Sequence, residues 1–169
     1  MKQLSLLQVE AKKPLLQEGN QWGLSVDGAS RNNPGPAGAG IVIKKNGKTV
    51  DEKGFFLGPK TNNQAEYLAL VLGLFLLKDL VGPDDIVMVL SDSQLLVQQI
   101  KGKYRVKHVA LRPLHAAAKQ LLNSLNYDIG HVLRDDNTEA DAMANYGIDK
   151  KKRVPETLLI SLRDYGIVL

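Results

Sequence analysis

Thr61-Asn62-Asn63-Gln64-Ala65-Glu66-Tyr67-Leu68-Ala69-Leu70-Val71-Leu72-Gly73-Leu74 is the stretch on which the fold turns. Its polar head carries helix-capping residues, and its body is apolar on nearly every side. A helix of that kind has no solvent face and must lie buried against a sheet. The apolar run, residues 67–77, is well short of the roughly 20 residues of a membrane helix, so the covering surface is protein. Upstream, Trp22, Leu24 and Val26 alternate with Gly23 and Ser25, a strand over residues 21–27. A cluster of turn formers follows over 27–36, then an apolar strand over 39–44. Asn46-Gly47 is the strongest short hairpin signal, and it sends a third strand, 48–56, back antiparallel. Downstream, Gly82-Pro83 stops the helix. Ile86-Val87-Met88-Val89-Leu90 is a continuous aliphatic run of the kind found in a central, parallel-paired strand covered on both faces. Ser91-Asp92-Ser93 closes it and caps a short helix to residue 100.

Beyond this, residues 112–125 read as helix and 127–133 as a last strand. Asp136 or Asn137 caps a helix through residue 146, with Glu139 in capping-box position and Gly147 as the stop. The order βββαβααβα predicts an α/β sandwich with a five-stranded mixed sheet, three antiparallel strands and then two parallel ones, flanked by helices. Three segments follow: an N-terminal extension over 1–20, a main domain over 21–149 and a basic and apolar C-terminal tail over 150–169.

A chain of 169 residues suits one domain. With 44% hydrophobic residues it is too apolar for a disordered tail. It has no cysteine, which excludes disulfides, thiolate metal sites and a Cys nucleophile, and makes a reducing, cytoplasmic setting the simpler expectation. No secretory signal or membrane segment is expected, and a monomer is the default. Lys and Arg exceed Asp and Glu, 22 to 18, a mildly basic balance compatible with a polyanionic partner. Aromatic residues are only 5%, which disfavours a surface of stacked rings for single strands. The charge is uneven. Between Ser93 and Tyr127 there is no acid, while Lys101, Lys103, Arg105, Lys107, Arg112 and Lys119 are all basic.

Four acids fall where strands end and helices begin: Asp27, Glu66, Asp92 and Asp141. Each alone has a plain structural reading. Asp27 before Gly28 suits a turn, Asp92 a helix cap, and Glu66 and Asp141 complement helix N-termini. Together they suggest more. Glu66 leads an otherwise apolar helix, and Asp92 follows a central parallel strand, whose carboxyl end is where ligands bind in such sheets. Clustered acids repel, and a divalent cation is the usual remedy. A set made only of Asp and Glu oxygens selects Mg²⁺ or Mn²⁺ over zinc. Two such ions about 4 Å apart activate a water and stabilise the leaving oxygen of a phosphodiester.

The strings Val26-Asp27-Gly28-Ala29-Ser30, Asn33-Pro34-Gly35-Pro36-Ala37-Gly38-Ala39-Gly40, Thr61-Asn62-Asn63-Gln64-Ala65-Glu66, Leu90-Ser91-Asp92-Ser93-Gln94 and Asn137-Thr138-Glu139-Ala140-Asp141 resemble, in order and spacing, the type 1 ribonucleases H. The resemblance spans residues 23–146. It implies the ribonuclease H fold and endonucleolytic hydrolysis of the RNA strand of an RNA/DNA hybrid. Asp27, Glu66, Asp92 and Asp141 are then the metal-binding catalytic acids, with Asp27 bridging two ions. It also implies Asn33, Glu66 and Gln94 near the RNA minor groove and its 2′-hydroxyls, the groups that distinguish RNA from DNA, and Asn62 and Asn63 near the two backbones.

Two departures from the family stand out. The loop Val132-Leu133-Arg134-Asp135-Asp136-Asn137 has no mobile histidine. It is similar to a subgroup with the pattern His-Val-x-Arg-x-x-Asn-x-x-Ala-Asp, in which Arg134 either takes a phosphate contact or is a solvated loop residue. The segment 93–127 is also too short for the full basic protrusion of bacterial members. Lys101, Lys103, Arg105 and Lys107 either replace it in part, giving salt-dependent affinity, or complement a helix C-terminus. Two alternative functions remain at this level: a catalytically silent nucleic-acid-binding module, and a related metal nuclease acting on double-stranded RNA or DNA junctions.

Overall fold

The computed structural model describes residues 19–169, so the expected N-terminal extension lies outside the described residues apart from Gly19 and Asn20. Five strands, β1 (Gln21–Ser30), β2 (Gly35–Lys45), β3 (Lys48–Lys60), β4 (Ile86–Ser91) and β5 (Tyr127–His131), form one sheet in the order β3-β2-β1-β4-β5. The β1–β2 and β2–β3 pairs are antiparallel, and β1–β4 and β4–β5 are parallel, as the sequence pattern predicts. The helices are α1 (Asn62–Lys78), α2 (Gln94–Ile100), α3 (Arg112–Leu122), α4 (Thr138–Asp149) and α5 (Glu156–Asp164). Among the described residues no helix is long and apolar enough to cross a membrane.

The hairpin at Asn46-Gly47 forms with both residues at positive φ, 51° and 82°, the geometry its two residue types tolerate best. Thr61 caps α1 through a reciprocal box with Gln64. The body of α1 is buried all round because β1 and β2 cover one side and α3 the other. Leu24 and Val26 of β1 meet it at Gly73.

On the opposite face α4 lies on β1, β2 and β3, and glycines decide how closely. A Cβ on Gly40 would sit 1.9 Å from the Ala140 carbonyl oxygen; on Gly38, 2.3 Å from that of Ala144; on Gly54, 2.1 Å from that of Met143. Three adjacent strands thus offer bare backbone to one helix.

This packing corrects several boundaries. The turn formers at 27–36 are mostly strand: the β1–β2 ladder continues through Gly28↔Ala39 and Ser30↔Ala37, and only residues 31–34 turn, with a cis Asn33–Pro34 bond. β3 runs on to Lys60 because its pairing with β2 continues to Gly35. Gly147 does not stop α4, which continues to Asp149; its missing side chain admits the Phe55 backbone, 2.6 Å from where a Cβ would be. Nor does Glu139 form a capping box, since Asn137 is the N-cap and Glu139 pairs with Lys44 at 3.1 Å. The helix expected over 112–125 ends at Leu122, where the Ser124 hydroxyl donates to the Leu121 carbonyl. The strand expected over 127–133 ends at His131, because its partner β4 ends at Ser91. β4 itself is covered on one face only: Met88 is 43% exposed, as α4 does not extend over β4.

Residues 150–169 cross the edge of β3, where the Phe56 N–H donates to the Lys152 carbonyl. They then bury Leu158, Leu162 and Ile167 in the same core, with the Tyr165 ring 5.6 Å from that of Phe75.

Candidate active site

Three of the four acids arrive on different elements, Asp27 on β1, Glu66 on α1 and Asp141 on α4, and Asp92 lies in the bend just after β4. Asp27 lies on β1 opposite Gly40, on the sheet face that α4 covers. The bare backbone of Gly40 lets α4 descend until Asp141 comes within hydrogen-bonding reach of Asp27. Gly28 does the same on the other side: a Cβ there would lie 2.3 Å from the Glu66 nitrogen, so α1 rests directly on β1 and brings the Glu66 carboxylate beside the Gly28 backbone. Asp92 follows Ser91, which pairs with Val26, and so stands beside Asp27. Carboxylate oxygens of Asp27, Glu66 and Asp92 lie within 4.8 Å of one another.

The plain readings of three acids fail on this geometry. Asp27 is inside a strand, not a turn. Glu66 is beyond the first turn of α1, whose cap is Thr61. The cap of α2 is Ser93, which accepts from the Leu96 N–H and leaves Asp92 without that duty. Only Asp141 sits in a first turn, that of α4.

A buried acid elsewhere shows what a structural carboxylate looks like. Asp85 accepts from the Gly82 N–H, the Trp22 Nε1–H and the Asn20 N–H, which hold it below its usual range. The site behaves oppositely. Burial first, and then the Asp92 charge, push Asp27 from 3.8 up to about 8. Burial and the charges of Asp27 and Asp92 push Glu66 well above its usual value. Glu66 Oε2 is buried with no hydrogen-bond partner. An orphaned carboxylate oxygen in an all-oxygen cluster that holds protons against its own repulsion fits a divalent cation, which would take the place of those protons.

A sign follows. Asp27 titrates near 8 in the folded protein and near 3.8 without its surroundings, so between those values the native state holds the extra proton and stability falls as pH rises. We expect the melting temperature of metal-free protein to drop between about pH 5 and about pH 8, and Mg²⁺ to raise it by several degrees more at the higher pH. Thermal melts with and without Mg²⁺ check this; equal upshifts at both pH values would contradict it.

The remaining sequence candidates divide into groups. Asn33 and Asn62 interlock: the Asn62 N–H donates to Asn33 Oδ1, and the Ser30 N–H to Asn62 Oδ1. Both carbonyl oxygens are thereby used, leaving the exposed NH₂ groups as donors. Asn63 shares a groove with Lys103, Arg105 and Lys107. Gln94 is exposed at the start of α2, and Arg134 is exposed in a 3₁₀ turn, Arg134–Asp136. Lys101, Lys103, Arg105 and Lys107 are exposed and make no ion pair among the described residues. Arg112 and Lys119 instead donate to backbone carbonyls, the exposed Arg112 to Val106 and the half-buried Lys119 to Ile100.

Comparison with known proteins agrees with this geometry. A family described as reverse transcriptase-like matches residues 25–147. A ribonuclease HI of Halobacterium salinarum is 42% identical over 125 residues, 73% of this chain. The chain spans 62% of that relative's length. A ribonuclease H of Alcanivorax borkumensis is 33% identical, with 75% of this chain and 90% of the relative aligned. The chain belongs to the type 1 ribonuclease H family. Among solved structures, the ribonuclease H1 LC11, isolated from compost by metagenomics and crystallised with an RNA/DNA hybrid, superposes with a TM-score of 0.73 at 36% identity, covering 76% of this chain and 97% of that one.

In this type 1 ribonuclease H one contributor was hidden in the sequence as a helix cap. The buried Asn137 side chain donates to the Val26 carbonyl at 2.9 Å, tying the start of α4 to β1 next to Asp27. Its position four residues before Asp141, inside a quoted motif, was the signal. His131, placed by sequence in the strand, ends β5 with Nε2 3.2 Å from the Asp92 carbonyl oxygen.

Proposed function

We propose that this chain cuts the RNA strand of RNA/DNA hybrids endonucleolytically, using two divalent cations, Mg²⁺ or Mn²⁺, held by Asp27, Glu66, Asp92 and Asp141. The observation that carries the reading is the convergence of these four acids, with an orphaned Glu66 oxygen among them, in a ribonuclease H chain. Bound cations would supply an activated water and stabilise the leaving 3′ oxygen. Asp27 is the natural bridging residue, since it neighbours the other three. Asn33 and Gln94, with Glu66, face the minor groove, where donors and acceptors meet the 2′-hydroxyl. Asn62 and Asn63 meet the two backbones, and Lys101, Lys103 and Arg134 neutralise phosphates. The catalytic unit is residues 21–149, acting as a monomer in the cytoplasm.

The test is cleavage of labelled RNA/DNA, RNA/RNA and DNA/DNA duplexes with Mg²⁺ or Mn²⁺. The expected result is metal-dependent cutting of the RNA strand of the hybrid alone. Hybrid binding without cutting would overturn the proposal in favour of a silent binding module, and preferential cutting of double-stranded RNA or DNA would make it a related nuclease.

A further inference from the structure

Four cations, Lys101, Lys103, Arg105 and Lys107, are packed into one short loop after α2 with no acid among them. Such a loop repels itself and favours an open, mobile chain unless something holds it. The holding contacts are buried. The Tyr67 hydroxyl, on α1, donates to Gln99 Oε1 at 2.7 Å, and Gln99 Nε2 donates to the Arg105 carbonyl at 3.2 Å. Tyr67 is 1% and Gln99 4% exposed. Burial pushes the Tyr67 phenol above its ordinary range, so its hydroxyl stays a donor. His115 Nε2 lies 3.2 Å from the Gln99 carbonyl oxygen, and Lys119 Nζ donates to the Ile100 carbonyl at 3.1 Å, which fixes the end of α2 as well. One side-chain amide therefore links the first helix, at the residue next to Glu66, to the middle of the cationic loop. It also sets the loop's distance from Asn63, which faces Lys103, Arg105 and Lys107 across a groove of about 460 Å³.

We propose that Tyr67 and Gln99 are positioning residues that hold the cationic loop in the shape that grips a nucleic-acid backbone. The inference rests on the hybrid-cutting function for its consequence, but the tether is a property of the protein alone. Binding of a rigid duplex then needs no ordering of the loop, so the tether acts on affinity and not on chemistry.

The variants are Tyr67→Phe, which keeps the ring, and Gln99→Leu, each compared with wild type at temperatures equally far below its own melting point. Trypsin should nick the loop at Lys101, Lys103, Arg105 or Lys107 about tenfold faster in both, with cuts elsewhere unchanged. KM for hybrid should rise about fivefold and hybrid binding weaken equally, with kcat held within about twofold. In a Lys101→Ala/Lys103→Ala/Lys107→Ala background, adding Tyr67→Phe should weaken binding no further. Unchanged nicking overturns the tether. Faster nicking with unchanged KM and binding, or an additive loss in the neutralised background, overturns the positioning role. If wild type does not cut hybrid at all, the proposed function fails, while faster nicking together with weaker hybrid binding in the two variants would still support the tether.

Discussion

Asp27→Asn should leave a folded protein that cuts hybrid about 10³-fold more slowly or worse. Asp27 is in reach of both Glu66 and Asp141 and under the charge of Asp92, so removing its negative charge weakens every arrangement of cations the site can hold. The amide is nearly the same size, and the fold has no reason to suffer. It should even gain: without a cation, Asp27 is destabilised by burial and by its neighbours, and Asn carries no charge to bury. In metal-free buffer near pH 8 the variant should melt at or above wild type, and the Mg²⁺-induced rise in melting temperature should shrink or vanish. Activity assays and thermal melts on the same preparation separate the two effects. Retained cleavage would show that the acids are not the metal site, and a large loss of stability would show that Asp27 is structural.

Gly40→Ala should damage both stability and activity through one displacement. The new Cβ would sit 1.9 Å from the Ala140 carbonyl oxygen and 2.6 Å from the Ala144 nitrogen, both backbone atoms that cannot swing aside. Helix α4 has to lift from the sheet, at a cost of about 3 kcal/mol. The lift carries Asp141 away from Asp27 and strains the hydrogen bond from Asn137 to the Val26 carbonyl. If Asp141 acts as proposed, a misplacement of this order is expected to lower cleavage about 10²-fold. Gly23→Ala is the control. Its Cβ would meet only Lys44 Cβ at 3.7 Å, an ordinary contact, so stability and cleavage should stay near wild type. If Gly40→Ala behaves like Gly23→Ala, the close approach of α4 does not set the site.

These two substitutions also mark where sequence reading stopped. Asn46-Gly47, the buried character of α1 and the presence of capping residues at the heads of α1 and α2 were legible because each is a local matter of allowed φ, hydrophobic period or a side chain reaching its own backbone. The role of the glycines of β2 and α4 was not legible. Gly35 falls among the turn formers and Gly40 in an apolar strand, yet nothing local shows that Gly38 and Gly40 are there to admit a helix about 100 residues further along the chain. Gly147 reads as a helix stop for the same reason, although it is a contact point with Phe55. The exposed face at Met88 was equally out of reach, since an aliphatic strand gives no sign of which helices stop short of it.

The sequence by itself determined the element order, the mixed sheet and the family, and it singled out the four acids proposed to hold cations, because those follow from local propensity and from motifs contiguous in the chain. It could not determine that Asp27, Glu66 and Asp92 share one point with Asp141 beside Asp27, that Glu66 keeps an unpartnered oxygen there, or that Tyr67 reaches Gln99 beside the cationic loop. Those were decided by how closely α1 and α4 approach bare backbone at Gly28 and Gly40. Burial and mutual repulsion, which raise the proton affinity of Asp27 and Glu66, arise only when distant parts of the chain are brought together and water is shut out.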